Sequence, residues 1–232
     1  MPNHVTNVVR APKHVIAALA PEGKPTFQGI IPMPEALIPS EGGSVYVDAE
    51  SRAKMAAGLL NKPQGGDWAT RFMFSNEIDR SFTPASKETL TEVIKHLTAL
   101  RDYGDTSHLD WARRHWETKW DAYWANPERN TETAAHFKTA WSFPEPVAIR
   151  LSELFPNDEI VWEYADEDHG SNCGTLTLLG GKIIRSVVAP PWKIQSSEER
   201  RQWTKFAILL RYPGSSPADF DRDENWECIE ED

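Results

Sequence analysis

Residues 164–170 read YADEDHG, which crowds Asp166, Glu167, Asp168 and His169 into four consecutive positions at the end of the apolar run IVWEYA. Carboxylates that close repel one another unless a cation, a basic neighbour or water screens them. Three chemistries suit the set. Asp166, Asp168 and His169 can gather a divalent ion for phosphoryl or hydrolytic chemistry. Asp166, Glu167 and Asp168 can form a negative face for a partner. Or the strand ends, turns at Gly170, and its acids cap backbone N–H groups or point to water. The spacing lacks the regular acids, central Gly and distant Glu of an EF-hand loop.

A second set lies in HWETKWDAYW. Trp116, Trp120 and Trp124 recur at every fourth residue, as on a helix, while Trp120, Ala122 and Trp124 alternate, as on a strand. Lys119 lies among these rings and can pair with Asp166 or Asp168. With Trp111, His115, Trp120, Trp141 and Tyr164 it outlines a candidate pocket; the plainer alternative is aromatic core with Lys119 snorkelling to water. His108 and His115 are seven apart, not at the i,i+4 spacing of H-E-x-x-H. No G-x-S-x-G, phosphate loop or G-x-G-x-x-G is present. No catalytic residue is assigned, and no cofactor or bound metal is expected in the preferred reading.

The third set is the tail. From Asp219 onward it carries eight acids and one Arg, with Phe220, Trp226 and Ile229 interspersed. Such a segment is either a solvated end or an acidic–aromatic docking strip, in which Asp221 and Asp223 steer and Trp226 buries area.

The elements that must position these residues can be read from period and punctuation. NHVTNVVR reads as a strand, PKHVIAALA as a short helix, and TFQGIIPMPEALIP as an extended segment. AESRAKMAAGLLN is helical and NKPQGGDW breaks it. TPASKETLTEVIKHLTALRDYG is a helix capped by Thr83 or Ser86, with Leu90, Ile94, Leu97 and Leu100 at helical period and Gly104 as its stop. SHLDWARRHWE is a further helix. WDAYW and TAAHFKTAW suggest a strand pair. SFPEPVAIRLSELFP is a helix with a Ser142–Glu145 capping box and a stripe of Val147, Leu151 and Leu154. EIVWEYA is a strand, GTLTLL–GG–KIIRSVVA a hairpin with a Gly-Gly turn, and SSEERRQWTKFAILLRY a helix with a Ser196–Glu199 capping box. Helices mixed with hairpin-like strands point to α+β.

Charge narrows the function classes. Net charge is −10 over 232 residues. Residues 1–150 hold 17 Lys+Arg against 18 Asp+Glu, whereas residues 151–232 hold 8 against 17. The C-terminal part repels a phosphate backbone, so nucleic acid is a disfavoured partner; a basic protein surface is favoured. No stretch approaches the ~20 apolar residues of a membrane span. The start lacks a secretion signal. Cys173 and Cys228 form no C-x-x-C, which suits a reducing cytoplasm, so a host-cytoplasmic location is expected.

MPNHVTN, IIPMPEAL, HWETKWDAYW, FKTAWSFPEPV and EYADEDHGSNCG, taken in that order, resemble the YubB ferredoxin-like domain family of phage- and plasmid-encoded proteins. The resemblance is spread over residues 1–190. It implies a ferredoxin-like α+β sandwich, a mostly antiparallel sheet backed by helices, running strand–helix–strand–strand–helix–strand. It implies no reaction. Residues 40–105 then read as a helical insertion into a domain of residues 1–195, followed by a helix and acidic tail at 196–232. The functional expectation is a non-enzymatic accessory protein of a mobile genetic element, counter-defence being one such role. It would bind a host or element protein stoichiometrically through Asp166, Glu167, Asp168, Asp221, Asp223 and Trp226. The alternatives are a metal-dependent hydrolase or phosphoryl-transfer enzyme on Asp166, Asp168 and His169, and a single-stranded nucleic-acid module using Trp162, Tyr164 and Trp120.

Overall fold

The computed structural model describes residues 3–38, 44–57, 85–124 and 128–227. NKPQGGDW, Thr83 and Ile229 lie outside them. The chain divides into two compact units, residues 1–32 with 112–232, and residues 33–111.

In the first unit, β1 (His4–Arg10), β2 (Ala134–Ala140), β3 (Ile160–Ala165), β4 (Cys173–Leu179) and β5 (Lys182–Val188) form one sheet in the order β2-β1-β3-β4-β5. Every neighbouring pair is antiparallel. α1 (Lys13–Leu19) follows β1, and α5 (Glu145–Leu154) joins β2 to β3 across the intervening β1. This is the ferredoxin-like arrangement, with its second strand reduced to one bridge, Tyr123 to Lys138. WDAYW does not extend because Asp121 takes Thr26 Oγ1 and the backbone N–H groups of Phe27 and Ala122, each at 2.7 Å, and Trp124 turns left-handed at φ 45°. Hairpin β4–β5 then extends the sheet on the far side, turning at Gly180 and Gly181, both at positive φ, as the Gly-Gly pair suggested.

Strand alternation sorts the two faces. Val5, Asn7, Val9, Phe137, Ile160 and Trp162 are all buried on one face, with Val147 and Leu151 of α5 also in the core. The Trp162 indole N–H donates to Asn7 Oδ1 at 3.0 Å, and the Asn7 amide donates to Val5 O and Thr139 Oγ1. Every polar atom brought in with the largest core ring is thus satisfied by one buried Asn. On the other face α6 (Ser197–Arg211) packs Ala207 and Leu210 against Val8, Ala165 and Cys173. α6 is therefore part of the first unit.

Two capping boxes were expected and one forms. Ser196 and Glu199 make the capping box of α6. α5 instead starts at Pro144 with no side-chain cap, because the Ser142 hydroxyl donates to Glu117 O. Leu154, read as part of its stripe, is 42% exposed: the last turn of α5 rotates away from the sheet.

The second unit contains α2 (Ser44–Ala56) and α3 (Lys87–Tyr103); α4 (His108–His115) spans the division at 111/112. Ser86 caps α3 by accepting from Thr89 N, and Gly104 ends it left-handed at φ 78°. Its inward residues are Thr89, His96 and Ala99, whereas Leu90 and Ile94 are 52% and 65% exposed. A polar anchor holds this face, His96 Nδ1–H donating to Thr106 O at 2.6 Å, while Lys54 of α2 pairs with Glu50 and with Asp110 of α4. Hydrophobic period alone misses a face fixed by a buried imidazole. Among the described residues no helix is long and apolar enough to cross a membrane.

Candidate functional site

YADEDHG is a closed turn. Asp166 is buried, and its carboxylate accepts from Asn3 Nδ2 at 3.2 Å, Asn172 Nδ2 at 2.7 Å and the Asp168 backbone N at 3.1 Å. The exposed Asp168 takes a second bond from Asn3 Nδ2 at 2.9 Å. Ser171 closes the loop on Asp168 O. Neutral amides, not Lys119, thus satisfy Asp166. Gly170 has φ +92°, and a Cβ there would lie 2.8 Å from both Thr204 Oγ1 and Trp192 Cζ3. Its carbonyl accepts from the buried Gln195. Only glycine fits where this turn presses on α6.

His169 does not converge on those carboxylates. Its ring meets Phe220 edge-on at 5.7 Å. Burial, and then Arg211 and Arg222, hold its pKa below the usual imidazole value, so it is neutral at pH 7; Asp168 pulls weakly the other way. Among the described residues no group of three or more His, Cys, Asp or Glu forms a metal site.

The tail folds back on the first unit as far as it is described. Phe220 packs on Tyr212 as well as His169, and Glu227 pairs with Arg201 at 2.5 Å. Asp223 accepts from the backbone of Asn225 and Glu227, while Asp221 is exposed in a left-handed turn. Trp226 is only 6% exposed. Its indole is thus packed inward in the free chain, where burial of a large apolar ring is favourable. What remains outward is Glu167, Asp168 and Asp221, held on ordered backbone.

The residues expected to line a pocket are distributed over both units. Trp111 is buried in the second unit, whereas His115, Lys119, Trp120, Trp141 and Tyr164 belong to the first. The Lys119 ammonium lies 4.9 Å from the ring centres of both Trp120 and Trp141, and Arg113 is 5.3 Å from Trp141. This is a cation–aromatic ladder along the surface. Asn172 ties it to the acidic turn, donating to Trp141 O and to Asp166. Tyr164, half-buried, stacks on Phe143 at 4.8 Å, and Trp162 is fully buried.

Sequence reasoning missed the edge of the sheet. All seven residues of β5, KIIRSVV, are exposed. Ile184, Val187 and Val188 are 54%, 45% and 43% exposed, and Trp192 and Ile194 follow at 43% and 73%. The register shifts by one between Thr177 and Leu178, which leaves Ile184 as the extra residue and Arg185–Val188 as a regular free edge. The signal was in the sequence: apolar residues at both parities, no acid, and no later strand to cover them.

Three comparisons bear on kinship. No curated protein matches the chain. The crystal structure of a protein api92 from Yersinia pseudotuberculosis, of the DUF1281 family, aligns over 83% of this chain and 100% of its own, at 12% identity and a TM-score of 0.33. Residues 119–207, from the cation–aromatic ladder through the exposed hairpin into α6, match the DUF1281_C family model, described as the ferredoxin-like domain in Api92-like protein.

Proposed function

We propose that this chain is a non-enzymatic accessory protein of a mobile genetic element that acts by stoichiometric binding to a host or element protein. The free edge of β5 makes the contact, and the acidic C-terminal half steers the approach. The observation that carries this reading is an edge strand exposed along its whole length, with three aliphatic side chains between 43% and 54% exposed. Such an edge pairs with an extended segment: main-chain bonds give affinity and alternate side chains give specificity. Covering Ile184, Val187 and Val188 would contribute about 3 kcal/mol at the usual coefficient for half-exposed aliphatics. Lys182 and Arg185 exclude a strand that sets cations opposite them. The charge imbalance of residues 151–232 draws in a partner whose wider surface is basic. The resemblance to phage and plasmid proteins supports the mobile-element setting, and counter-defence is one role it fits.

The test is affinity capture from host lysate at low and high salt, with wild type beside Val187→Glu and Ile184→Glu. The reading expects a stoichiometric partner that both substitutions release, with salt slowing capture. It fails if no partner is retained at either salt, if retention ignores both substitutions, or if sedimentation shows β5 already paired with a second copy.

A further inference from the structure

We propose that the face of β1 and β2 beside the end of α6 is a binding site for a small phosphate-class oxyanion, held by Arg10, Arg129, His136, Lys138 and Arg211. The register places three of these on one face of the sheet. Val8 faces His136 and Thr6 faces Lys138, so alternation puts Arg10, His136 and Lys138 on the α6 side of the sheet. Arg129, from the turn before β2, donates to Arg211 O and Leu210 O at 3.3 and 3.2 Å, which seats the last turn of α6 against that face. Arg211 reaches back to Asp166 O at 3.1 Å.

Two buried nitrogens without a partner point to a ligand. His136 is 9% exposed, and its Nδ1 is buried with no hydrogen-bond partner. The Nε of Arg211 is likewise buried and unpartnered. Buried polar atoms of native proteins are rarely left so. The acids nearby are too few to balance the cations: Glu163 is taken by Arg10 at 3.2 Å, and Glu167 acts on Lys138 from a distance. In a chain of net charge −10, cations gathered this way repel one another unless an anion joins them. That repulsion lowers the affinity of these groups for protons. Burial, then Arg129 and Arg10, push His136 down to about 4; burial and Arg211 lower Lys138; and burial and Arg10 lower Arg129. An imidazole nitrogen, a guanidinium Nε–H and the Lys138 ammonium, which lies 4.8 Å from the Trp124 ring centre, are presented from different elements on this side of the sheet, a set that suits a tetrahedral oxyanion with several acceptor oxygens. The Arg10 side chain, 54% exposed, marks the way in.

The test is calorimetric titration at low ionic strength with inorganic pyrophosphate and, in a separate arm, adenosine diphosphate, which tells a bare oxyanion from a nucleotide. Citrate and sodium chloride at matched ionic strength serve as controls. Lys138→Gln and Arg10→Gln leave the α6 cap intact, and Lys182→Gln on β5 controls for general charge. The site predicts saturable one-to-one binding of pyrophosphate or the nucleotide, weakened about tenfold or more by each face variant and untouched by Lys182→Gln. It also predicts that the ligand raises the His136 pKa by about one unit or more in an NMR titration, because it offsets Arg10 and Arg129. Absence of saturable binding overturns the proposal. So does citrate that binds as well as pyrophosphate, or affinity and His136 titration that ignore Lys138→Gln and Arg10→Gln.

Discussion

Acid should loosen the first unit through His136, by an amount that can be worked out. Its pKa is about 4 in the folded protein, against about 6.5 for an unperturbed imidazole. Between those values the unfolded chain binds a proton that the folded chain refuses, so folding stability falls as pH falls from 6.5 towards 4. Above pH 7 the contribution is fully present. At pH 5 the unfolded imidazole is almost wholly protonated and the native one about a tenth protonated, which costs about 2 kcal/mol from this residue. His108 and His169 are also lowered and act in the same direction, so wild type alone does not isolate the effect. The difference between wild type and His136→Gln does. Urea denaturation at pH 7.5 and 5.0, followed by far-ultraviolet circular dichroism, should show the variant losing about 2 kcal/mol less than wild type over that interval. Equal losses, or a native His136 that titrates near 6.5, would refute the burial and charge environment assigned to β2.

Two further outcomes test the packing. Gly170→Ala imposes a Cβ within 2.8 Å of Thr204 and Trp192 at φ +92°, so it should lower stability by about 2–4 kcal/mol, read as a fall in Tm. Asn7→Ala removes the acceptor of the buried Trp162 N–H and should cost about 2–3 kcal/mol in urea denaturation, whereas Asn172→Ala, at the more open turn, should cost less.

Much of the fold could be read from residue order. Val5 and Val9 around Asn7, the Gly180-Gly181 turn and the Ser196–Glu199 box each carry a local physical signal, and each appears where that signal put it. The errors share a cause: a side chain whose partner is remote in sequence. Asp121 diverts WDAYW by capturing Thr26 and Phe27; Ser142 abandons its own helix for Glu117; His96 turns α3 away from its leucines. Ser142 and Asp121 reach partners 25 and 94–95 residues away, and even His96 reaches ten residues on, past the end of its own helix. The acidic turn was legible as a turn, but not that Asn3 would satisfy its acids from 163 and 165 residues away. Trp226 carried the opposite lesson, since an indole among acids reads as a docking ring until a folded surface is there to bury it. The exposed edge of β5 left a signal in the sequence, the lack of any later strand to cover it, but KIIRSVV taken alone reads as a core strand, and the strand order is what leaves it last.

The most direct measurement is hydrogen exchange on the complex with the captured partner. Strand addition requires that the outward amides of Arg185–Val188, unprotected in the free protein, slow markedly when the partner binds, in step with occupancy. Protection confined to residues 166–172 and 217–227, with β5 exchanging as fast as before, would contradict the account and return the contact to the acidic turn and tail.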